Sequence, residues 1–292
     1  MMTKYFKRVE SLKCWEQSIH CERLDGGITN RNFFVEHDNE KFFVRIGVDI
    51  PEHGIYRFNE LAASRAAHKC GISPEVVYSE TGAMVMRFID GKTLEPENLR
   101  DISTVKKVVE LLKTCHQQMP LYLSGSSLVF WVFQVIRGYV NTLIKSKSRM
   151  IEKLSRFLEI NNELEKTVGT INLFFGHNDL LSGNFIEDKN RLWLVDWDYA
   201  GYNSPLFDLA NLASNNEYAE GLELKLLEMY FENEISDDLW KRYFAIKCAS
   251  LLRESMWSMV SEIYSTIDFD YVQYTTENLE KFENTFDEFR NI

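Results

Sequence analysis

HNDLLSGNFIEDKNRLWLVDWDYAG, residues 177–201, sets a histidine, three asparagines and a series of aspartates among largely apolar neighbours. The runs 184–186 and 191–195 flank the polar turn Glu187-Asp188-Lys189-Asn190, the pattern of a β-hairpin. Pairing about residue 190 sets position 184 opposite position 196. Asn184 and Asp196 then emerge at one end of the hairpin, beside the loop that carries Asp179. An amide oxygen and a carboxylate are hard ligands suited to Mg²⁺, which keeps several waters and takes its remaining ligands from substrate phosphates. Asp179, adjacent without being a ligand, is positioned to accept a proton from a substrate hydroxyl. Two other readings are open for the same residues. His177, Asp179 and Asp196 could ligate a hydrolytic metal, which needs a further ligand and gives Gly183-Asn184 no role. The stretch could also be an Asx-rich loop whose His and Asp are structural.

Before this hairpin the chain is strand-rich. Residues 19–46 read as three strands, SIHCERL, RNFFVEH and KFFVRI, with the loop Asp25-Gly26-Gly27-Ile28-Thr29-Asn30 between the first two. Gly26 and Gly27 let backbone N–H groups approach an anion, and Thr29 and Asn30 add donors, so the loop suits either phosphates or a plain turn. Arg45 interrupts the apolar strand FFVRIG and needs a partner or a ligand if buried, and Glu60 on the following helix is the natural partner. At an exposed sheet edge the same Arg would face water. The helix over IYRFNELAASRAAHKCG stops at Gly71 before Pro74, AMVMRFI (83–89) reads as a buried strand, and Asp90-Gly91 is the best linker. RFIDGKT ends like a Walker A loop, but Met86 stands where its first glycine is required, which excludes a P-loop. Beyond residue 95 the pattern is helical at 101–119, 126–145, 148–166, 205–216, 218–232, 236–264 and 271–290. The expected fold is α+β in two lobes: a β-rich N-terminal lobe with one crossing helix (1–89), a hinge (90–94) and a larger helical C-terminal lobe (95–292).

Bulk composition narrows the function. A chain of 292 residues with 45% hydrophobic content readily buries a core. Thirty-three basic residues against 44 acidic ones give a net charge of −11, which argues against nucleic acid or an anionic membrane as partner and favours a cationic small molecule. Nine acids against three bases in the last 42 residues mark either a solvated helix face or attraction for such a cation. Five scattered cysteines and the absence of an apolar leader or of an 18-residue apolar run point to a reducing cytoplasm with no membrane insertion. Monomer and homodimer are equally compatible with the sequence. The basic stretch 145–156 reads only as an exposed helix face.

The order of a catalytic Asp, an Asn five residues later and a metal-binding Asp after the next strand is that of protein-kinase-like phosphotransferases. HNDLLSGNFI and WLVDWDYAGYNSPLFDLAN together resemble the phosphotransfer loop and metal segment of the choline/ethanolamine kinases, within the aminoglycoside phosphotransferase and protein-kinase-like superfamily. GGITNRNFFVE…FFVRIG resembles their nucleotide loop and strand, and the match runs in order over about residues 19–285. The resemblance implies ATP and Mg²⁺ as cofactors, Asp179 as base, Asn184 and Asp196 as Mg²⁺ ligands, and Gly26, Gly27, Thr29, Asn30, Arg45 and Glu60 around the nucleotide. His177 would be structural. It further implies a cation box from Tyr199, Trp257, Tyr271 and Tyr274. Glu254 stands where a second Trp is usual, and Asn215, with Glu217 close by, where a Glu is usual, so Glu254 and Glu217 join the expected substrate site. The compact length is similar to that of bacterial choline kinases. The implied activity is phosphorylation of choline. Ethanolamine, thiamine or an aminoglycoside is the alternative acceptor, and a catalytically silent nucleotide- or choline-binding protein is the alternative class.

Overall fold

A computed structural model describes residues 2–24 and 30–292 of the chain. Helix α1 (Met2–Glu10) precedes the strands β1 (His20–Leu24), β2 (Arg31–His37) and β3 (Glu40–Ile46). Helix α2 (Arg57–Lys69), β4 (Val76–Glu80) and β5 (Ala83–Arg87) complete the small lobe. Its sheet is antiparallel in the order β1-β2-β3-β5-β4. Strand alternation explains the sorting of residues. Phe33, Val35, Phe42, Val44 and Val85 share one face and pack with Val9 and Leu12. Arg45 lies on the other face, beside Met84 of β5, and meets Glu60 of α2. Neither α1 nor β4 is part of the sequence expectation.

The linker is not a bare turn. After it, β6 (Lys92–Thr93) pairs with the hairpin at 185–194, Thr93 opposite Ile186. A Cβ on Gly91 would stand 2.7 Å from the Glu187 carbonyl oxygen, so only glycine lets the linker lie this close.

The large lobe follows with α3 (Pro96–Leu99), α4 (Ile102–Gln118), α5 (Val132–Lys145), α6 (Leu154–Val168) and β7 (Phe174–Gly176). The hairpin β8 (Phe185–Glu187) and β9 (Leu192–Leu194) leads to β10 (Gly201–Asn203). Four helices end the chain: α7 (Pro205–Asn215), α8 (Glu220–Phe231), α9 (Asp237–Tyr264) and α10 (Tyr271–Phe289). Helix α9 is buried on nearly every side, with α5, α6, α7 and α10 packed around it, which is why its sequence shows no clear polar face. No helix among the described residues is long and apolar enough to cross a membrane.

Three local expectations change. The helix expected from 126 begins at Val132, because residues 128–130 run extended beside β10: Tyr202 N donates to Leu128 O (2.8 Å) and Phe130 N to Tyr202 O (2.9 Å). The helix expected from 148 becomes a 3₁₀ turn at 151–153 followed by α6, after Lys147 adopts a left-handed backbone. The hairpin register is off by one. Phe185 pairs with Leu194, and Val195 N donates to Asn184 O, so residue 195 rather than Asp196 lies opposite Asn184. The cause is the turn: Asp188 Oδ1 accepts from Asn190 N and Arg191 N, which centres the reversal on 188–191.

The basic stretch and the acidic C-terminal region meet each other. Arg149 binds Glu262 through two bonds of 2.8 Å, and Arg156 forks onto Glu283.

Candidate active site

The loop between β7 and β8 is held from beneath by the first turns of α7. Ser204 caps that helix and Pro205 opens it, which aims Asp208 and Asn211 at the loop. Asp208 accepts from His177 N (2.9 Å), Asn178 N (2.7 Å) and His116 Nε2 (2.9 Å). Burial opposes its charge, but the bond and charge of His116 outweigh it and hold the carboxyl below its usual range. Asn211 Oδ1 accepts from Leu180 N at 2.6 Å. A Cβ on Gly176 would meet Asp208 Oδ2 at 2.9 Å, so the tight fit depends on that glycine. Asn178 and Asp196 both have positive φ, 65° and 68°, a strained backbone that these contacts sustain. His177 is fully buried, packs on Trp197 with ring centroids 4.6 Å apart and shares a 2.9 Å bond between Nε2 and Val195 O. Its ring is thus committed to packing, which weakens the hydrolytic-metal reading.

Asp179 is half-buried, and among the described residues its carboxyl has no hydrogen-bond or ion-pair partner. Burial first, then Glu254, Asp196 and Asp198, push it up to about 8 against the pull of Arg253. Asn184 is buried and its Nδ2 donates to the Asp179 carbonyl at 2.8 Å. That bond ties the loop together and leaves the amide oxygen as the end available to a ligand.

Where the lobes meet, two arginines and three acids form one cluster. Arg45 Nη1 donates to Glu60 (2.6 Å), Asp196 (2.8 Å) and Asp198 (3.1 Å). Arg57 Nη1 donates to Glu60 (2.5 Å) and Asp198 (2.9 Å), and Asn30 Nδ2 donates to the second oxygen of Asp198 at 3.0 Å. Despite burial, Arg45 holds Asp196 below its usual range. Asp198 is pushed up to about 7 by burial and by its neighbours Glu60 and Asp196. With three carboxylates against two guanidiniums, the fully ionised cluster carries one excess negative charge. Among the described residues, Glu60, Asp196 and Asp198 are the one group of three acids with ligand atoms mutually close enough, within 4.8 Å, to share an ion. The oxygen-only donor set of these acids fits a hard divalent cation. Arg57 and Asp198 are absent from the sequence-derived site. The signals were present, a base three residues before Glu60 and the second acid of Asp196-Trp197-Asp198, but only the lobe contact brings them together. Gly26, Gly27 and Thr29 lie outside the described residues.

The expected cation box is assembled but engaged internally. Trp257 Nε1 donates to the Tyr199 hydroxyl at 2.8 Å, and Tyr271 and Tyr274 meet Trp257 edge-on at 6.0 and 6.3 Å. Tyr274 donates to Glu254 at 2.9 Å. Arg253, fully buried, stands over the Tyr199 ring at 4.4 Å from its centroid. Beside Tyr199 and Asp198 opens a cavity of about 300 Å³ with Tyr56, Phe130 and Tyr139 in its walls. Glu217 is not brought to this group; its exposed carboxylate pairs with Lys281 at 3.1 Å and Arg100 at 3.6 Å.

His53 enters the same cluster from the small lobe, stacked near Trp257 at 5.2 Å, with Nε2 3.1 Å from Ser261 Oγ. Burial and the Arg253 charge push it down to about 3 from 6.5. The unfolded chain therefore binds this proton more strongly, and stability falls as pH drops below 6.5 and continues to fall toward 3. From this residue alone the protein should be about 2 kcal/mol less stable at pH 5 than at pH 8. Urea unfolding at the two pH values checks this: His53→Gln should shrink the difference by that amount, and an unchanged difference refutes the assignment.

The family model described as choline/ethanolamine kinase matches residues 21–225. The chain belongs to the choline/ethanolamine kinase family. A probable ethanolamine kinase of Arabidopsis thaliana is 28% identical over 290 residues, covering 87% of this chain and 76% of that protein. A solved choline/ethanolamine kinase family protein from Mesorhizobium loti has a TM-score of 0.77 at 26% identity, covering 99% and 97% of the two chains. A spectinomycin phosphotransferase solved with ADP and spectinomycin shares the fold at a TM-score of 0.64 and 14% identity, covering 96% and 98%. The α+β, protein-kinase-like, two-lobed expectation holds. As a choline/ethanolamine kinase family member the chain is a phosphotransferase acting on an alcohol, and ATP use follows from the kinase family.

Proposed function

We propose that the protein transfers the γ-phosphoryl group of ATP to the hydroxyl of a cationic amino alcohol, choline or ethanolamine. The observation that carries the reading is Asp179: an acid without a partner among the described residues, raised to about 8 by burial and neighbouring acids, on a loop tied to Asn184. A base whose pKa lies near working pH combines a useful deprotonated fraction with driving force for proton transfer. Asp179 takes the hydroxyl proton as the oxygen attacks phosphorus. Arg45, kept in place by Glu60, faces the nucleotide phosphates. Asn184 and Asp196 hold Mg²⁺, which when bound neutralises charge on the phosphates. The excess negative charge of the arginine–carboxylate cluster supports a cation there.

The lobe limits 1–89, 90–94 and 95–292 belong to the same reading, as does a cytoplasmic location, supported by five unpaired cysteines. An aminoglycoside acceptor is disfavoured because Glu262 and Glu283, part of the acidic C-terminal region, are already paired with Arg149 and Arg156. Coupled ADP detection with Mg·ATP and choline, ethanolamine, thiamine or kanamycin tests the proposal. Turnover is expected with choline or ethanolamine and absent with kanamycin. Silence with both amino alcohols overturns it, and silence with the whole panel favours a binding protein.

A further inference from the structure

We infer that Arg253 and Glu254 decide which ammonium the site accepts, and that they favour one bearing N–H groups over a fully methylated one. The inference rests on the amino-alcohol reading above. A quaternary ammonium has no hydrogen-bond donor and is held by aromatic faces, on which its charge sits within about 6 Å of a ring centroid. The Tyr199 face already carries such a cation: the Arg253 guanidinium, 4.4 Å from the centroid and 1% exposed. Arg253 is held by Glu254 Oε2, 2.7 Å from Nη1, and by its contact with the Tyr199 ring. The Tyr199 hydroxyl is spent on Trp257, and the Trp257 ring is covered in turn by His53 and Tyr274. The rings of Tyr199 and Trp257 are therefore engaged within the protein, and a substrate cation beside Asp179 meets the Glu254 carboxylate, whose charge acts on Asp179.

Glu254 is the carboxylate built for it. Its side chain keeps 13% exposure, and its two oxygens already accept from Tyr274 (2.9 Å) and Arg253 (2.7 Å), which fixes its orientation and leaves acceptor capacity on both. An N⁺–H···O⁻ bond is short and about twice as strong as a neutral one. Methylation removes these donors and holds the positive nitrogen farther from the carboxylate. The Arg253 charge then disfavours a cation that cannot offset repulsion with such bonds.

The test measures kcat/KM for ethanolamine, N-methylethanolamine, N,N-dimethylethanolamine and choline, in the native protein and in Glu254→Gln and Arg253→Leu. In the native protein efficiency should fall along the series, by about tenfold or more from ethanolamine to choline. Glu254→Gln should cost ethanolamine about tenfold and choline less than threefold. Arg253→Leu, which uncovers the Tyr199 ring, should move the ratio toward choline. Circular dichroism establishes that each variant is folded, and the native series needs no variant. Equal or better use of choline by the native protein, or equal losses for both substrates in Glu254→Gln, overturns the inference and leaves the kinase reading intact. If no member of the series is phosphorylated, the amino-alcohol reading itself fails.

Discussion

Asp179→Asn lowers kcat by about a hundred- to ten-thousand-fold, the range a positioned general base contributes. Asparagine is nearly isosteric but cannot take the hydroxyl proton. The change leaves the fold untouched, because the Asp179 side chain holds nothing together: the loop is pinned by Asp208, Asn211 and the Asn184 bond to the Asp179 carbonyl. It also relieves a cost. The folded carboxyl is raised to about 8 from 3.8, so the folded state binds the proton more tightly and loses stability as pH rises through this window. The variant should therefore unfold no earlier than the native protein at pH 8, and should bind ATP with similar affinity. Steady-state kinetics, calorimetric ATP titration and thermal unfolding read the three parts separately. A variant that keeps more than a tenth of native kcat ends the assignment of Asp179 as base.

Arg45→Met acts on the opposite side of the cleft, and there stability and activity fall together. Arg45 is 4% exposed and gives one nitrogen to three carboxylates, of which Glu60 and Asp198 are as deeply buried as itself. Removing one member of a buried ionic cluster leaves its partners uncompensated, at about 3–5 kcal/mol. For a domain of this size that lowers Tm by roughly 10 °C. Arg57 still binds Glu60 and Asp198, so Asp196 loses most. KM for ATP should rise by about tenfold or more, because a charge-assisted bond to phosphate worth roughly 1.5–3 kcal/mol is lost. Arg45→Lys keeps the charge but not the planar fork and should fall between the two. Scanning calorimetry together with the ATP dependence of turnover measures both effects. Native Tm in Arg45→Met would show that the cluster does not stabilise the junction of the lobes.

Much of this was legible along the chain. The helices from 205 onward carry apolar periodicity long enough to be read, and their observed ends lie within two residues of the expectation. The pair Arg45 and Glu60 followed from a charge inside an apolar strand. What escaped reading was short or depended on contact. Strand β4, VVYSE, is half-buried at every position and shows no alternation. Residues 128–130 look helical in isolation but are drawn out beside β10, which supplies backbone partners that a helix there would forgo. The hairpin register turned on one side chain, Asp188, capturing two backbone amides, a turn geometry that the apolar runs on either side do not specify.

The sequence by itself determined the reaction class, phosphoryl transfer to an alcohol, and singled out a base, an amide and an acid at short, ordered spacings in and just before one hairpin as the residues proposed to carry it. Tertiary structure alone decided how those residues are tuned. It set Arg57 and Asp198 into the Arg45 cluster across the lobe junction, brought the charges of Arg253 and Glu254 to bear on Asp179, and laid Arg253 over Tyr199. These are contacts between segments dozens to more than a hundred residues apart. Burial and neighbouring charge, rather than residue type, set the pKa of a group and the cation a pocket accepts.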